Sequence, residues 1–228
     1  MPRNSIVTEP DHRPHDLLWV NDASALIPVD ALPAWATAAW LSVAPAVVRR
    51  APIRSNDRVP VGLRGATRSE RCAAHAAAAG VIRKVTPEDI ARCVSVRPWL
   101  HDSVLPCLRA LARLAPALDA QALTWGVTGS VGFTLASRLD VLRIESDLDL
   151  LVRAPSPADA DTLRGVAELV CAVECRVDVQ VETTRGAFAL DEWLRTGGPV
   201  LLKTAHGPGL CDNPWQGVDL NVDSPLLA

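Results

Sequence analysis

Along the chain, polarity switches between a period of two, which marks strands, and spacings of three and four, which mark helices. After a polar lead-in over residues 1–16, 17-LLWV-20 reads as a short strand or helix. Pro33 heads a predicted helix over 34–41. Two extended stretches follow, 45–52 and 59–65, joined by the turn-rich 53–58. From Thr67 to Ala79, Ala, Arg and Glu predict a helix stopped by Gly80. Thr86, Pro87 and Asp89 spell a helix start with Thr86 as its cap. Leu108, Leu111 and Leu114 then predict a helix over 104–118.

The second half is more regular. A strand over 122–128 runs into Gly129-Ser130, which opens a helix over 131–139. In 144-IESDLDLLVR-153, Asp147, Asp149 and Leu151 share one face of a predicted strand, and Leu148, Leu150 and Val152 the other. A loop at 154–161 leads to a helix over 162–173 and a third strand over 176–183, where Asp178, Gln180 and Glu182 share a face. A helix around 187–195, the run 200–208 and a Pro/Gly/Asn/Asp-rich end complete the chain. The pattern is that of an α+β protein, and no fixed repeat interrupts it. A boundary near 85–100 divides it into a smaller N-terminal α/β part, 1–95, and a catalytic part, 96–228.

Composition narrows the function classes. The chain has 228 residues, 49% of them apolar, with a net charge of −3, so a sizeable core is expected and a nucleic-acid coat is not. Seven Trp, two Phe and no Tyr argue against a base-stacking platform for single strands. No apolar run is long enough to span a membrane. The first residues carry Pro and Asp where an export signal needs an apolar core, so a cytoplasmic protein is expected. The six cysteines form no CxxC and are expected to be reduced and mostly buried, with Cys171 and Cys175 on one helix face.

The candidate chemistry lies where the glycine turn meets the carboxylates. Gly129 lets the backbone approach an anion, the following helix start offers outward amides, and Ser130 adds a hydroxyl. Asp147 and Asp149, two apart on a strand, stand roughly 6–7 Å apart on one face, which suits one divalent cation or two adjacent ones. The third strand supplies a further carboxylate, Asp178 or Glu182. Three carboxylates around Mg²⁺ suit in-line transfer of a nucleotidyl group, with the third taking a proton from the attacking hydroxyl. Arg64, Arg68, Arg71 and Lys203 are the candidate cations for a polyanionic substrate. Trp125 is expected in the core, and His206 is expected to be structural.

Gly129-Ser130 followed by Asp147-x-Asp149 resembles the nucleotidyltransferase superfamily, with a spacer longer than in many members, explained by an extra loop at 138–146. The blocks 60–71, 126–133, 146–152, 177–193 and 200–204 together are similar to the malonate decarboxylase holo-(acyl-carrier-protein) synthase family, whose members are also called phosphoribosyl-dephospho-CoA transferases. The resemblance implies a nucleotidyltransferase-like mixed sheet with flanking helices. It also implies transfer of a 2′-(5″-phosphoribosyl)-3′-dephospho-CoA group from its triphosphate precursor to a serine of the apo acyl-carrier protein, with diphosphate leaving. On that basis Asp147, Asp149 and Asp178 hold Mg²⁺, Ser130 contacts the triphosphate, and Asp178 also serves as base. Two rivals stand beside it: a nucleotidyltransferase that moves AMP, and a non-catalytic nucleotide-binding module. Like charges gathered so closely without a cation would be unfavourable in the latter.

Overall fold

The computed structural model describes residues 12–52, 55–121, 123–157 and 160–216. Part of the polar lead-in and the last residues of the Pro/Gly-rich end therefore lie outside the described residues, as do parts of the loops at 53–58 and 154–161. The chain divides into two compact units, residues 1–84 and 85–228, and each is built on a six-stranded sheet. Helices and strands share the chain in both, so the α+β class expected from the polarity pattern is the observed one. Among the described residues no helix is long and apolar enough to cross a membrane.

The first unit contains β1 (Leu17–Val20), β2 (Leu26–Pro28), the helix α1 (Ala38–Val43), β3 (Ala46–Val48), β4 (Arg58–Arg64), β5 (Arg71–Ala77) and β6 (Val81–Val85). Its strands lie in the order β2-β5-β4-β3-β1-β6. The helix expected over Thr67–Ala79 is instead strand β5, paired antiparallel with β4 from Arg58↔Ala77 to Arg64↔Arg71. Alanine favours helices in isolation, but sheet pairing and burial override a weak intrinsic preference. Ala74 and Ala76, two apart, are fully buried while Ala73, His75 and Ala77 are less so, the alternation of a strand. The helix expected over 34–41 starts later, at Ala38, because the Thr37 hydroxyl accepts from Trp40 N–H at 3.2 Å and caps it there.

The second unit opens with α2 (Pro87–Arg92), whose start is the predicted one. Asp89 N–H donates to the Thr86 hydroxyl at 3.1 Å, and Thr86 N–H donates to the Asp89 carboxylate at 2.9 Å. Next come α3 (Pro106–Asp119), β7 (Thr124–Val127), α4 (Gly129–Ser137), β8 (Leu148–Arg153), α5 (Ala160–Val170) and β9 (Val177–Glu182). Then β10 (Ala187–Ala189), α6 (Leu190–Thr196), β11 (Val200–Thr204) and β12 (Gly207–Cys211) follow. The sheet runs β12-β11-β10-β9-β8-β7, with β8 and β9 parallel and their other neighbours antiparallel. The helix expected around 187–195 is split. Phe188 is fully buried as a strand residue opposite Val181, and the helix begins at Leu190. Phe188 then packs with Trp193 and Trp215 at ring separations of 6.1 and 5.7 Å.

Two features lock this sheet to its flanks. Gly126 lies in β7 with Pro87 so close that an added Cβ would stand 2.5 Å from the proline Cβ, so α2 rests directly on the strand. At the far end of β8, the Arg153 guanidinium bridges two carboxylates, Glu88 at 2.8 Å and Glu182 at 3.0 Å. All three side chains are at most 13% exposed, so solvent screens the pairing little. Arg153→Met would leave two buried carboxylates facing one another. The expected cost is about 3–5 kcal/mol, read as a drop in the urea midpoint of unfolding.

Candidate active site

The site is built from β7, the turn into α4, and the starts of β8 and β9. Thr128 N–H donates to the Asp149 carbonyl at 2.9 Å, and its hydroxyl reaches the same oxygen at 3.4 Å. These bonds fix the turn against β8. Gly129 then adopts a φ of +61°, a region that L side chains rarely enter. A Cβ there would lie 1.8 Å from Asp149 Oδ2, so the carboxylate occupies the space a side chain would need. No side-chain cap closes the start of α4, which leaves its first turn, with Ser130, to meet a ligand.

The parallel register sets Asp149 directly opposite Asp178. Side chains at paired positions share a face, so the two carboxylates are neighbours on the sheet. Asp147, expected on the strand with Asp149, lies one residue before β8. It still belongs to the same locality, because its charge, with that of Asp149, acts on Arg176. The 138–146 stretch is irregular, as expected, and is anchored by buried Val141 and Leu142. A turn closes it, with Ser146 N–H donating to the Arg143 carbonyl at 3.0 Å.

Arg176 is the functional candidate absent from the sequence reading. Its Nε and Nη2 donate to Asp178 Oδ1 at 3.1 and 3.0 Å. Its carbonyl accepts from Leu148 N–H at 3.0 Å, which seats it beside Asp147. The hydrogen bonds to Asp178 raise the guanidinium's already high pKa, helped by the charges of Asp178, Asp147 and Asp149. The signal was present: the alternation that puts Asp178 on a face puts residue 176 on that face too.

Other expected site residues lie elsewhere. Glu182 is engaged by Arg153, which leaves Asp178 as the third carboxylate nearest Asp149. Lys203 is exposed on β11, level with Ala187 and Glu182. That is roughly 14 Å across the sheet and roughly 13 Å along it from Asp149. Arg64 ends β4 in the first unit, opposite Arg71, with its carbonyl accepting from the Trp40 indole at 2.7 Å. Trp125 is buried and its indole donates to Asp119 at 2.9 Å, a core role.

Among the described residues no three His, Cys, Asp or Glu side chains converge to hold a metal ion as they stand. The donor set nevertheless fits a hard divalent cation. Asp149 and Asp178 are neighbouring carboxylates, the oxygen donors that such a cation takes. The cysteines are all free, but only Cys107 and Cys211 are buried, so the expectation of mostly buried thiols is corrected. Cys171 and Cys175 both follow the last residue of α5 and do not share a helix face. Burial first, then Cys175 and Asp147 nearby, push the Cys107 thiol up to about 11.

Two expectations follow. Gly129→Ala should destabilise the second unit by at least about 1–2 kcal/mol from backbone conformation alone, and should displace Asp149. Thermal unfolding and transfer assays would read both. At pH 8 a thiol reagent should modify exposed Cys93 and Cys171 first, and Cys107 only on unfolding. Peptide mapping of the labelled protein checks the order.

Comparison with known proteins gives a consistent match. The phosphoribosyl-dephospho-CoA transferase MdcG N-terminal domain family matches residues 13–87, and the C-terminal domain family matches residues 96–214. A protein of Klebsiella pneumoniae strain 342 named phosphoribosyl-dephospho-CoA transferase is 45% identical over 204 residues, covering 90% of this chain and 96% of the relative. One of the same name from Pseudomonas syringae pv. tomato is 46% identical over 203 residues, covering 89% and 93%. Another from Azotobacter vinelandii is 40% identical over 210 residues, covering 90% and 95%. No solved structure matches.

Proposed function

The chain belongs to the phosphoribosyl-dephospho-CoA transferase MdcG family, and from that premise we propose that it transfers 2′-(5″-phosphoribosyl)-3′-dephospho-CoA from its triphosphate precursor to a carrier-protein serine. The acceptor in this reading is the apo acyl-carrier protein of malonate decarboxylase. The serine oxygen forms a bond to the α-phosphorus, the bond to the leaving diphosphate breaks, and the serine proton passes to a carboxylate. The observation that carries the reading is the pairing of Asp149 with Asp178 beside the Gly129 turn.

Each residue has a role set by its place. The first turn of α4, with Ser130, receives the donor's phosphate oxygens, and Gly129 allows their close approach. Asp147 and Asp149, with Asp178, would hold Mg²⁺. Bound there, the ion supplies positive charge against the triphosphate and the leaving diphosphate. Asp178 accepts the serine proton, because it stands at the start of β9 opposite Asp149 and is partly exposed. The buried pairing of Glu182 with Arg153 counts against Glu182 in that role. We assign Arg64 and the N-terminal part, 1–95, to donor or carrier binding, and Lys203 to a more distant contact with either. The setting we infer is the cytoplasm, in keeping with six free cysteines.

Mass spectrometry of the apo-carrier after incubation with this protein, Mg²⁺ and the triphosphoribosyl donor tests the reaction. The carrier should gain the mass of the prosthetic group on one serine. Asp178→Asn should slow labelling by about a hundredfold or more, and Asp149→Asn should slow it likewise. Labelling with ATP alone, or undiminished labelling by both variants, would overturn the reading.

A further inference from the structure

We propose that Arg176 is an exchangeable counter-ion: it holds the carboxylates of the site together before a cation binds, and then turns to the phosphate chain of the donor. The inference rests on the functional reading above, but its two halves concern how this side chain handles cations and polyphosphate, not the identity of the acceptor.

Geometry carries the first half. Asp149 and Asp178 are paired across parallel strands, and like charges directly opposite one another destabilise a sheet. Arg176 answers that repulsion from inside the same strand end. Two of its nitrogens donate to a single oxygen, Asp178 Oδ1, at 3.1 and 3.0 Å. Asp147 and Asp149 lie within electrostatic range of the same guanidinium. The guanidinium thus sits on one member of a facing pair of carboxylates, Asp178 opposite Asp149. A cation binding Asp178 competes with the guanidinium for the same oxygens.

Exposure carries the second half. The Arg176 side chain is 75% exposed and that of Asp178 45%, so the pair is at the rim and the arginine is free to swing outward. An exposed pair of this kind is weakly held. The buried Arg153 of β8, bridging Glu88 of α2 and Glu182 of β9, is the opposite case. Once released from Asp178, which faces the Asp149 that packs on Gly129, the guanidinium presents a planar fork of donors that matches phosphate oxygens. The same residue therefore serves both states of the site.

The test uses the full chain with Mn²⁺ alone and with inorganic tripolyphosphate. Free Mn²⁺ is followed by electron paramagnetic resonance, and tripolyphosphate binding by calorimetry. Arg176→Gln should bind Mn²⁺ several-fold more tightly than the wild type, because the competitor is gone. It should bind tripolyphosphate about tenfold more weakly, the loss expected for one charge-assisted contact. Arg176→Lys should keep wild-type Mn²⁺ affinity and fall between the two for tripolyphosphate, since it retains the charge but not the fork. Unchanged or weaker Mn²⁺ binding by Arg176→Gln overturns the counter-ion role, and unchanged tripolyphosphate binding overturns the phosphate role. If the wild type binds no Mn²⁺, or Asp149→Asn binds it equally well, the metal-site reading itself fails. The phosphate role is then decided by tripolyphosphate binding without metal.

Discussion

The site depends on one constraint, the parallel pairing of β8 and β9. Parallel neighbours cannot be joined by a tight hairpin and need a crossover of a dozen or more residues. Here residues 154–176, with α5, make that crossing. The register it delivers sets Asp149 level with Asp178 and, at the other end, Arg153 level with Glu182. One pairing thus juxtaposes like charges where the strands begin and opposite charges where they end. The hydrophobic stretch between them, Leu150, Leu151, Val152 and Val181, is nearly inaccessible to solvent and holds both ends in line. A slip of one residue would turn the carboxylates to the other face and break the Arg153 bridge at once.

The two ends divide the labour. Arg153, Glu88 and Glu182 are sealed from solvent and tie α2 to the sheet, so their charges have a structural task. Arg176, Asp178, Asp149 and Asp147 are partly open to solvent. The difference is one of burial and not of residue type, because both ends combine arginine with carboxylates. Hydrophobic contacts around Phe188, Trp193 and Trp215 close the sheet on the far side, with the Trp215 indole donating to the Ala154 carbonyl at 2.9 Å.

Much of this was legible in the sequence, and the reasons for the rest are physical. The alternation in 148–153 and 177–182 identified both central strands, because one face of each carries charge and the other does not. The Thr86–Pro87–Asp89 signal located a helix start to the residue, since its bonds are local. By contrast, β5 was hidden by alanine, which carries no strand preference and was placed by pairing with β4 across a hairpin. β10 was hidden by its shortness and by the helical residues that follow it. The choice between Asp178 and Glu182 could not be made from one strand. The partner strand bears on it, since Arg153 claims Glu182 and Asp149 faces Asp178. Arg176 followed the same alternation, yet a lone arginine at a strand start reads as ordinary surface until its neighbour is known.

Gly129 and Asp149 fill one another's space: the missing side chain of the first is the room taken by the carboxylate of the second. The two positions therefore behave as a single unit of shape. Bulk added at 129 must evict the carboxylate, and a longer acid at 149 must find new room against the same backbone. The space open to that carboxylate is thus bounded by the Gly129 main chain, which ties the turn and β8 together at this point of the candidate site. A change of shape at this point therefore has to involve both positions together.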